Sequence, residues 1–173
     1  DHREIYYFEP NTSSFENSKQ QLKEVPHVRL STKGLWYEDA VLQFDGSMGS
    51  ASALSETGGI SIETTSIDAV VDGPVHFIKL DIEGAEMNAL KGGETTIRSQ
   101  RPVLAICVYH DQQDFWRVPE LGLQDQPDYK VYLRHYIQGV FETVMYGVGP
   151  RSGQEPRKLG MIQNHLNNSD LIE

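Results

Sequence analysis

Apolar residues along this chain come in short dense runs separated by acids, glycines and prolines, the spacing of strands that alternate with short helices. The most informative run is His76-Phe77-Ile78-Lys79-Leu80-Asp81-Ile82, which leads into Glu83-Gly84-Ala85-Glu86. Phe77, Ile78, Leu80 and Ile82 are too closely spaced for a clean alternating face, which predicts a parallel strand buried on both sides. Gly84 permits a sharp turn before a helix from Ala85 to Lys91. Ligands of open α/β sheets bind outside the carboxyl ends of the strands, so Asp81 and Glu83 are placed at a mouth. Glu86 is ambiguous, because an acid in the first turn of a helix stabilises the macrodipole without any ligand. Taken alone, the stretch reads equally well as a solvated strand-helix junction.

Ahead of it, Ile5-Tyr6-Tyr7-Phe8 is β-prone and ends at Glu9-Pro10-Asn11. Thr12-Ser13-Ser14 offers N-caps for a helix from Phe15 to Lys23, and Val28-Arg29-Leu30 predicts the next strand. An acid closing a strand in such a unit is what a nucleotide site uses to hold two ribose hydroxyls, which makes Glu9 a candidate; the plain alternative is a loop acid beside Pro10. Trp36-Tyr37 and Val41 to Phe44 predict a hairpin across Glu38-Asp39-Ala40, and Asp45 to Ser52 a small-residue loop. Ile60 to Thr65 predicts a strand and Ser66 to Val71 a short helix. Gly92-Gly93 interrupts the helical pattern, Glu94 to Ser99 forms another short helix, and the apolar strand Val103 to Tyr109 delivers His110-Asp111 to the same edge. A helix with Phe115, Trp116 and Leu121 follows, limited by Pro119. Lys130 to Tyr136 and Phe141 to Tyr146 alternate as a terminal hairpin. Beyond it lies a polar tail, with one short helix near Leu159 to Leu166.

Composition narrows this picture. At 173 residues, 38% hydrophobic and 23% charged, the chain suits one globular domain, here 1–147, followed by the tail 148–173. A net charge of −10 argues against non-specific binding to nucleic acid or an anionic membrane. No apolar run approaches the about 20 residues that span a bilayer. Cys107, the single cysteine, lies in an apolar run as a buried small hydrophobe, and Asp1-His2-Arg3-Glu4 shows no signal-peptide pattern; together these lead us to expect a cytoplasmic protein.

Several motifs then fall in a familiar order. Tyr7-Phe8-Glu9-Pro10-Asn11, Thr65-Ser66-Ile67-Asp68, and Ile78-Lys79-Leu80-Asp81-Ile82-Glu83-Gly84-Ala85-Glu86 come first, with Leu90-Lys91-Gly92-Gly93 and Arg101-Pro102 after them. Together they resemble the FkbM family of S-adenosylmethionine-dependent methyltransferases. Tyr109-His110 with Asp114 and Trp116, and Leu133-Arg134-His135-Tyr136 with Glu142-Thr143-Val144, are similar to the C-terminal pattern of many bacterial members, so the resemblance covers about Ile5 to Tyr146. It implies an α/β fold, a Rossmann-like class I sheet of strand order 3-2-1-4-5-7-6 with the seventh strand antiparallel. The implied cofactor is S-adenosylmethionine, its ribose held by Glu9 with Asn11 beside it and its adenine passed by a loop at Lys33-Gly34-Leu35. Asp81 and Glu83 would face the methionine end or the acceptor, and His110 would act as general base across the opening, with His135 its rival. The implied reaction is O-methylation of a small-molecule acceptor, a hydroxyl on a sugar or secondary metabolite. No metal is called for, and assembly into a homo-oligomer is left open.

The sequence departs from the family where Ile5 to Phe8 matches the second strand, so the first strand and its glycine-rich loop have no counterpart. Gly147-Val148-Gly149 is the sole Gly-x-Gly, and with Pro150 after it this reads as a loop leaving the last strand. A mid-sheet gap leaves groups whose burial unpaired costs about 1–3 kcal/mol each. Either residues before Asp1 supply the strand, or another segment fills the place, or the flanking strands close up; the first is expected. Two other functions fit the same residues. One is a non-catalytic binding module of the same fold. The other is a metal-dependent Rossmann-like hydrolase in which Asp81, Glu83, His110 and Asp114 hold a divalent cation.

Overall fold

The computed structural model describes residues 4–44, 59–123, 128–136 and 142–150. It opens with β1 (Ile5–Phe8), α1 (Thr12–Leu22) and β2 (Val28–Ser31), the two strands parallel with Ile5 opposite Val28. Helix α1 starts earlier than predicted because Asn11, not the hydroxyl run after it, is the cap. Its Oδ1 accepts from the N–H groups of Ser13 and Ser14 and from the Ser13 hydroxyl.

Next come β3 (Gly34–Leu35), β4 (Val41–Phe44) and β5 (Ile60–Thr65), in the order β3-β5-β4. The predicted hairpin between Trp36-Tyr37 and Val41 to Phe44 does not form. Glu38-Asp39-Ala40 lacks the glycine or asparagine that tight hairpin turns favour, and β5 pairs both arms instead, parallel to β3 and antiparallel to β4. Thr64 holds the bend: its hydroxyl donates to the Glu38 carbonyl and accepts from the Ala40 N–H. The expected loop from Asp45 to Ser52 lies outside the described residues.

The larger sheet begins after α2 (Ile67–Val70). It contains β6 (Phe77–Leu80), then, beyond α3 (Glu86–Lys91) and α4 (Glu94–Gln100), β7 (Val103–Cys107), and finally, beyond α5 (Asp114–Gly122), β8 (Lys130–His135) and β9 (Thr143–Val148). Its order is β6-β7-β9-β8, with β7 parallel to β6 and β9 antiparallel to both its neighbours. One face carries the main core, where Ile78, Leu80, Leu104, Ile106 and Met145 pack with Ala89 and Leu90 of α3, Ile97 of α4 and Val118 of α5. The other face holds a small cluster of Ala105, Cys107 and Val144 with Tyr109 and Tyr146, to which no helix among the described residues contributes. Burial therefore alternates along β6 in place of the two-sided burial expected: Ile78 and Leu80 are buried while Phe77 is 56% exposed. Helix α5 runs through Pro119, whose missing N–H leaves only the Phe115 carbonyl without its helical bond.

Gly92 and Gly93 end α3 and begin α4 with negative φ, so conformational freedom is not what requires them. Space is. A Cβ at Gly92 would meet the Trp36 carbonyl oxygen and lie 2.9 Å from the Tyr37 Cα, both backbone atoms. Gly92→Ala is therefore expected to lower stability by about 1–3 kcal/mol, read as a lower denaturant midpoint with an unchanged m-value. Asp68 caps the neighbouring α4 from outside, accepting from the N–H groups of Thr95 and Thr96 at 2.9 and 2.8 Å. Burial works to raise its pKa, but these two bonds outweigh it and hold the carboxyl below its ordinary value.

On either side of the first strand's place, β2-β1 and β6-β7-β9-β8 reproduce the implied order. Among the described residues β1 pairs only with β2 and β6 only with β7, so the flanking strands do not close up. Asp72, ahead of β6, links the two units by accepting from the Tyr6 hydroxyl and from Arg29. Strand β9 extends through Val148, paired with Lys130, one residue past the expected domain boundary. The short helix expected at Leu159 to Leu166 lies outside the described residues.

Candidate active site

Parallel pairing of β6 and β7 brings the residues that follow them to one end of the sheet. Asp81 follows β6, and Tyr109 and His110 follow β7. The chain leaves β6 by a turn in which both Glu83, at φ 57°, and Gly84, at φ 93°, are left-handed. The glycine was legible as a turn residue, but the left-handed glutamate was not, and it carries a local cost of about 1–2 kcal/mol. The turn aims Glu83 back at the β7 exit, with its Oε2 3.4 Å from His110 Nε2.

His110 lies at the centre of these acids, its side chain 10% exposed. Nδ1 is 3.0 Å from Glu86 Oε1, and Nε2 is 3.8 Å from Asp81 Oδ1. These are ionic contacts, since neither ring nitrogen has an aligned hydrogen-bond partner among the described residues. Burial opposes a charge on the ring, but Glu86, Glu83 and Asp81 outweigh it and raise its pKa above the ordinary histidine value. Glu86 is fully buried, and its Oε1 also accepts the Ile82 N–H at 2.9 Å. The sequence does carry a signal for this burial: Glu86, Ala89 and Leu90 stand at i, i+3 and i+4 and share the inward face of α3.

Asp81 is less free than its position suggested. Its Oδ1 accepts from the Tyr109 hydroxyl at 3.0 Å and its Oδ2 pairs with Lys79 Nζ at 3.0 Å, so it orients groups on the sheet's second face as much as it faces the opening. Burial would lift this carboxyl, but Lys79 and Tyr109 keep it below its usual value. The neighbouring Cys107 thiol is pushed up to about 12, chiefly by burial and then by Asp81, so it stays protonated and inert. Glu83 is raised first by burial and then by the negative charges of Asp81, Glu86 and Glu9. Asp114, in the first turn of α5, is buried and pushed up to about 6, by burial first and Glu86 second.

The charge of Glu9, which follows β1, is the smallest of the influences that raise Glu83. Glu9 Oε1 accepts the Asn11 N–H at 2.9 Å, and Oε2 has no partner among the described residues. The Asn11 side-chain oxygen is occupied in capping α1. Gly34 and Leu35 differ from expectation in their local structure. They do not form a loop but the strand β3, where Leu35 turns to the main core while the Cβ position of Gly34 lies 3.9 Å from Pro10. His135 is bonded within the terminal hairpin, its Nδ1 2.8 Å from the Thr143 hydroxyl opposite. Gly149 and Gly147 make room for the Tyr129 ring, 2.6 and 3.2 Å from their Cβ positions, which is a packing role. Among the described residues no three His, Cys, Asp or Glu side chains are arranged to hold a metal ion. Nor is any helix there long and apolar enough to cross a membrane.

The methyltransferase FkbM domain family matches the chain over residues 1–138. The chain belongs to this family. Among solved structures, it is similar to the methyltransferase FkbM of Methylobacillus flagellatus KT, 25% identical with a TM-score of 0.68 over 83% of this chain and 36% of that one. It thus spans about a third of the length of that FkbM protein. A candidate methyltransferase from Streptococcus mutans, solved in complex with SAH, is 14% identical with a TM-score of 0.50 over 83% of this chain and 75% of its own, a likeness of fold. None of the curated proteins matches. In an FkbM domain the ordering of β2-β1 and β6-β7-β9-β8 is that of the methyltransferase sheet, and the acids and His110 stand at the mouth where α/β sheets take ligands.

Proposed function

We propose that this FkbM domain serves an S-adenosylmethionine-dependent methyltransferase that methylates a hydroxyl of a small molecule, a sugar or a secondary metabolite. The observation that carries the reading is His110, almost enclosed at the joint exit of β6 and β7, with three carboxylates on it. The donor set fits the cofactor. Glu9 keeps one oxygen steady against the Asn11 N–H and offers the other to ribose hydroxyls, while Glu83 suits a neighbouring cation. Bound S-adenosylmethionine supplies an electrophilic methyl group whose bond to sulfur breaks in line with the attacking oxygen, the electron pair remaining on sulfur. His110 takes the hydroxyl proton at Nε2 as that bond forms, and the surrounding carboxylates stabilise the imidazolium so produced. An acidic mouth disfavours phosphorylated acceptors and nucleic acid, in keeping with the net charge of −10. A cytosolic setting accords with the lone buried Cys107.

Glu9→Gln tests the cofactor half of this proposal. Removing a charge-assisted acceptor is expected to weaken S-adenosylmethionine binding to the intact protein by about 1.5–3 kcal/mol, roughly tenfold to a hundredfold, measured by titration calorimetry. Unchanged affinity would place the ribose elsewhere and leave Glu9 as a turn acid.

A further inference from the structure

We propose that Glu86 is a positioning residue for the reaction: from inside the core it holds the His110 ring with Nδ1 inward and hydrogen-bearing, so that Nε2 is the nitrogen presented to the acceptor. The inference rests on the reading of His110 as base. Helix α3 has six residues, and an acid at its start would serve the macrodipole equally well from the surface. Glu86 is instead 0% exposed, and a carboxylate withdrawn from water needs specific partners to remain charged. It has two, on the exits of two different strands: the Ile82 N–H after β6 and His110 Nδ1 after β7. One oxygen thus ties both exits together. A carboxylate accepts hydrogen only, and the nearest one to the ring is Glu86, 3.0 Å from Nδ1 against 3.4 Å from Glu83 to Nε2. In the neutral ring, charge, without an aligned hydrogen bond, therefore favours the proton on Nδ1 and the lone pair on Nε2, the arrangement by which an acid orients a catalytic histidine. Glu86 Oε2 is buried and has no partner among the described residues. The geometry therefore leaves the imidazole as its main charge partner.

The groups facing His110 come from every element around it. Asp81 and Glu83 approach from the β6 exit, Glu86 from α3 and the Tyr109 ring from β7, its centroid 4.1 Å away. Asp111 and Asp114 stand at the approach to α5, where Arg117 acts on Asp114 as a cation, and Lys79 is bound through Asp81. Glu86 alone among the carboxylates meets Nδ1, and Glu83 and Asp81 lie on the Nε2 side.

Nitrogen-15 NMR of the histidine rings in the intact protein tests this, with the His110 signals identified by their loss in His110→Gln. The neutral wild-type ring is expected as the Nδ1–H tautomer. Glu86→Gln keeps the length of the side chain and an acceptor for Ile82, but removes the charge. In it the His110 titration is expected to move down by at least about one pH unit, a tenfold change in proton affinity, and the acidic limb of kcat/KM to move with it. An Nε2–H tautomer in the wild type overturns the proposal even should Glu86→Gln not fold, and so does an unmoved titration in a folded Glu86→Gln. A titration that moves while the rate profile stays in place upholds the hold of Glu86 on His110 and overturns instead the assignment of His110 as base. A purely structural Glu86 would alter melting temperature and leave the titration where it was.

Discussion

On the proposal that His110 is the base, His110→Ala is expected to lower turnover of the intact protein by about 10²–10⁴-fold at pH values above the histidine titration, the usual contribution of a positioned general base. The acceptor hydroxyl then has to attack with its proton in place, and the rival His135 is bonded to Thr143 in the hairpin. The sign of the pH dependence follows from the charges around the ring. Glu86, Glu83 and Asp81 overcome the effect of burial and favour the imidazolium, so His110 serving as the proposed base is deprotonated only above a pKa higher than the ordinary value of 6.5. Activity rises with pH through that raised value and is lost below it. A kcat/KM profile between about pH 6 and 9, with the true acceptor, is the measurement. If alanine lowers the rate by less than about tenfold and the acidic limb persists, another group is the base.

Asp114→Asn is expected to stabilise the fold near pH 8 and to leave it unchanged below about pH 4. The carboxyl is buried at the start of α5, and its folded value of about 6 stands above the ordinary 3.8 because burial, Glu86 and Asp111 all oppose its ionisation. A raised acid pKa means that the native state binds more protons than the unfolded chain between the two values. Stability therefore falls as pH rises through that window, and the loss is complete above the folded value. Two pKa units correspond to about 3 kcal/mol, and asparagine, which never ionises, is expected to recover about 2–3 kcal/mol at pH 8. Denaturant midpoints at about pH 4 and pH 8 check this. An equal gain at both would mean that the substitution acts through packing and not through the charge.

The large elements were legible in the residues themselves. Ile5 to Phe8 and Ile60 to Thr65 form strands over the predicted spans, and the terminal pair forms the expected hairpin, because alternation and β-branching are local signals that neighbours do not override there. The Trp36-Tyr37 hairpin failed because pairing is decided by which strand edge competes best, and β5 lies more than fifteen residues further along the chain. Gly34 and Leu35 moved from loop to strand for the same reason. One-sided burial of β6 was likewise out of reach of spacing: Phe77 is as apolar as Ile78, and only the placement of α3, α4 and α5 on one side separates them.

For the candidate site, the sequence by itself determined that acids and a histidine stand at strand ends, since an apolar run that stops at Asp81 or at His110 states where the strand leaves the core. It also determined family membership, because the motifs recur in order along most of the chain. Tertiary structure decided which of those groups meet. Parallel register between β6 and β7 brings Glu83, Asp81 and His110 within 4 Å, the left-handed Glu83 turns its carboxylate inward, and the buried face of α3 sets Glu86 against Nδ1. Those contacts join residues more than twenty positions apart, and the distances that govern charge coupling are set by packing, which no local pattern encodes.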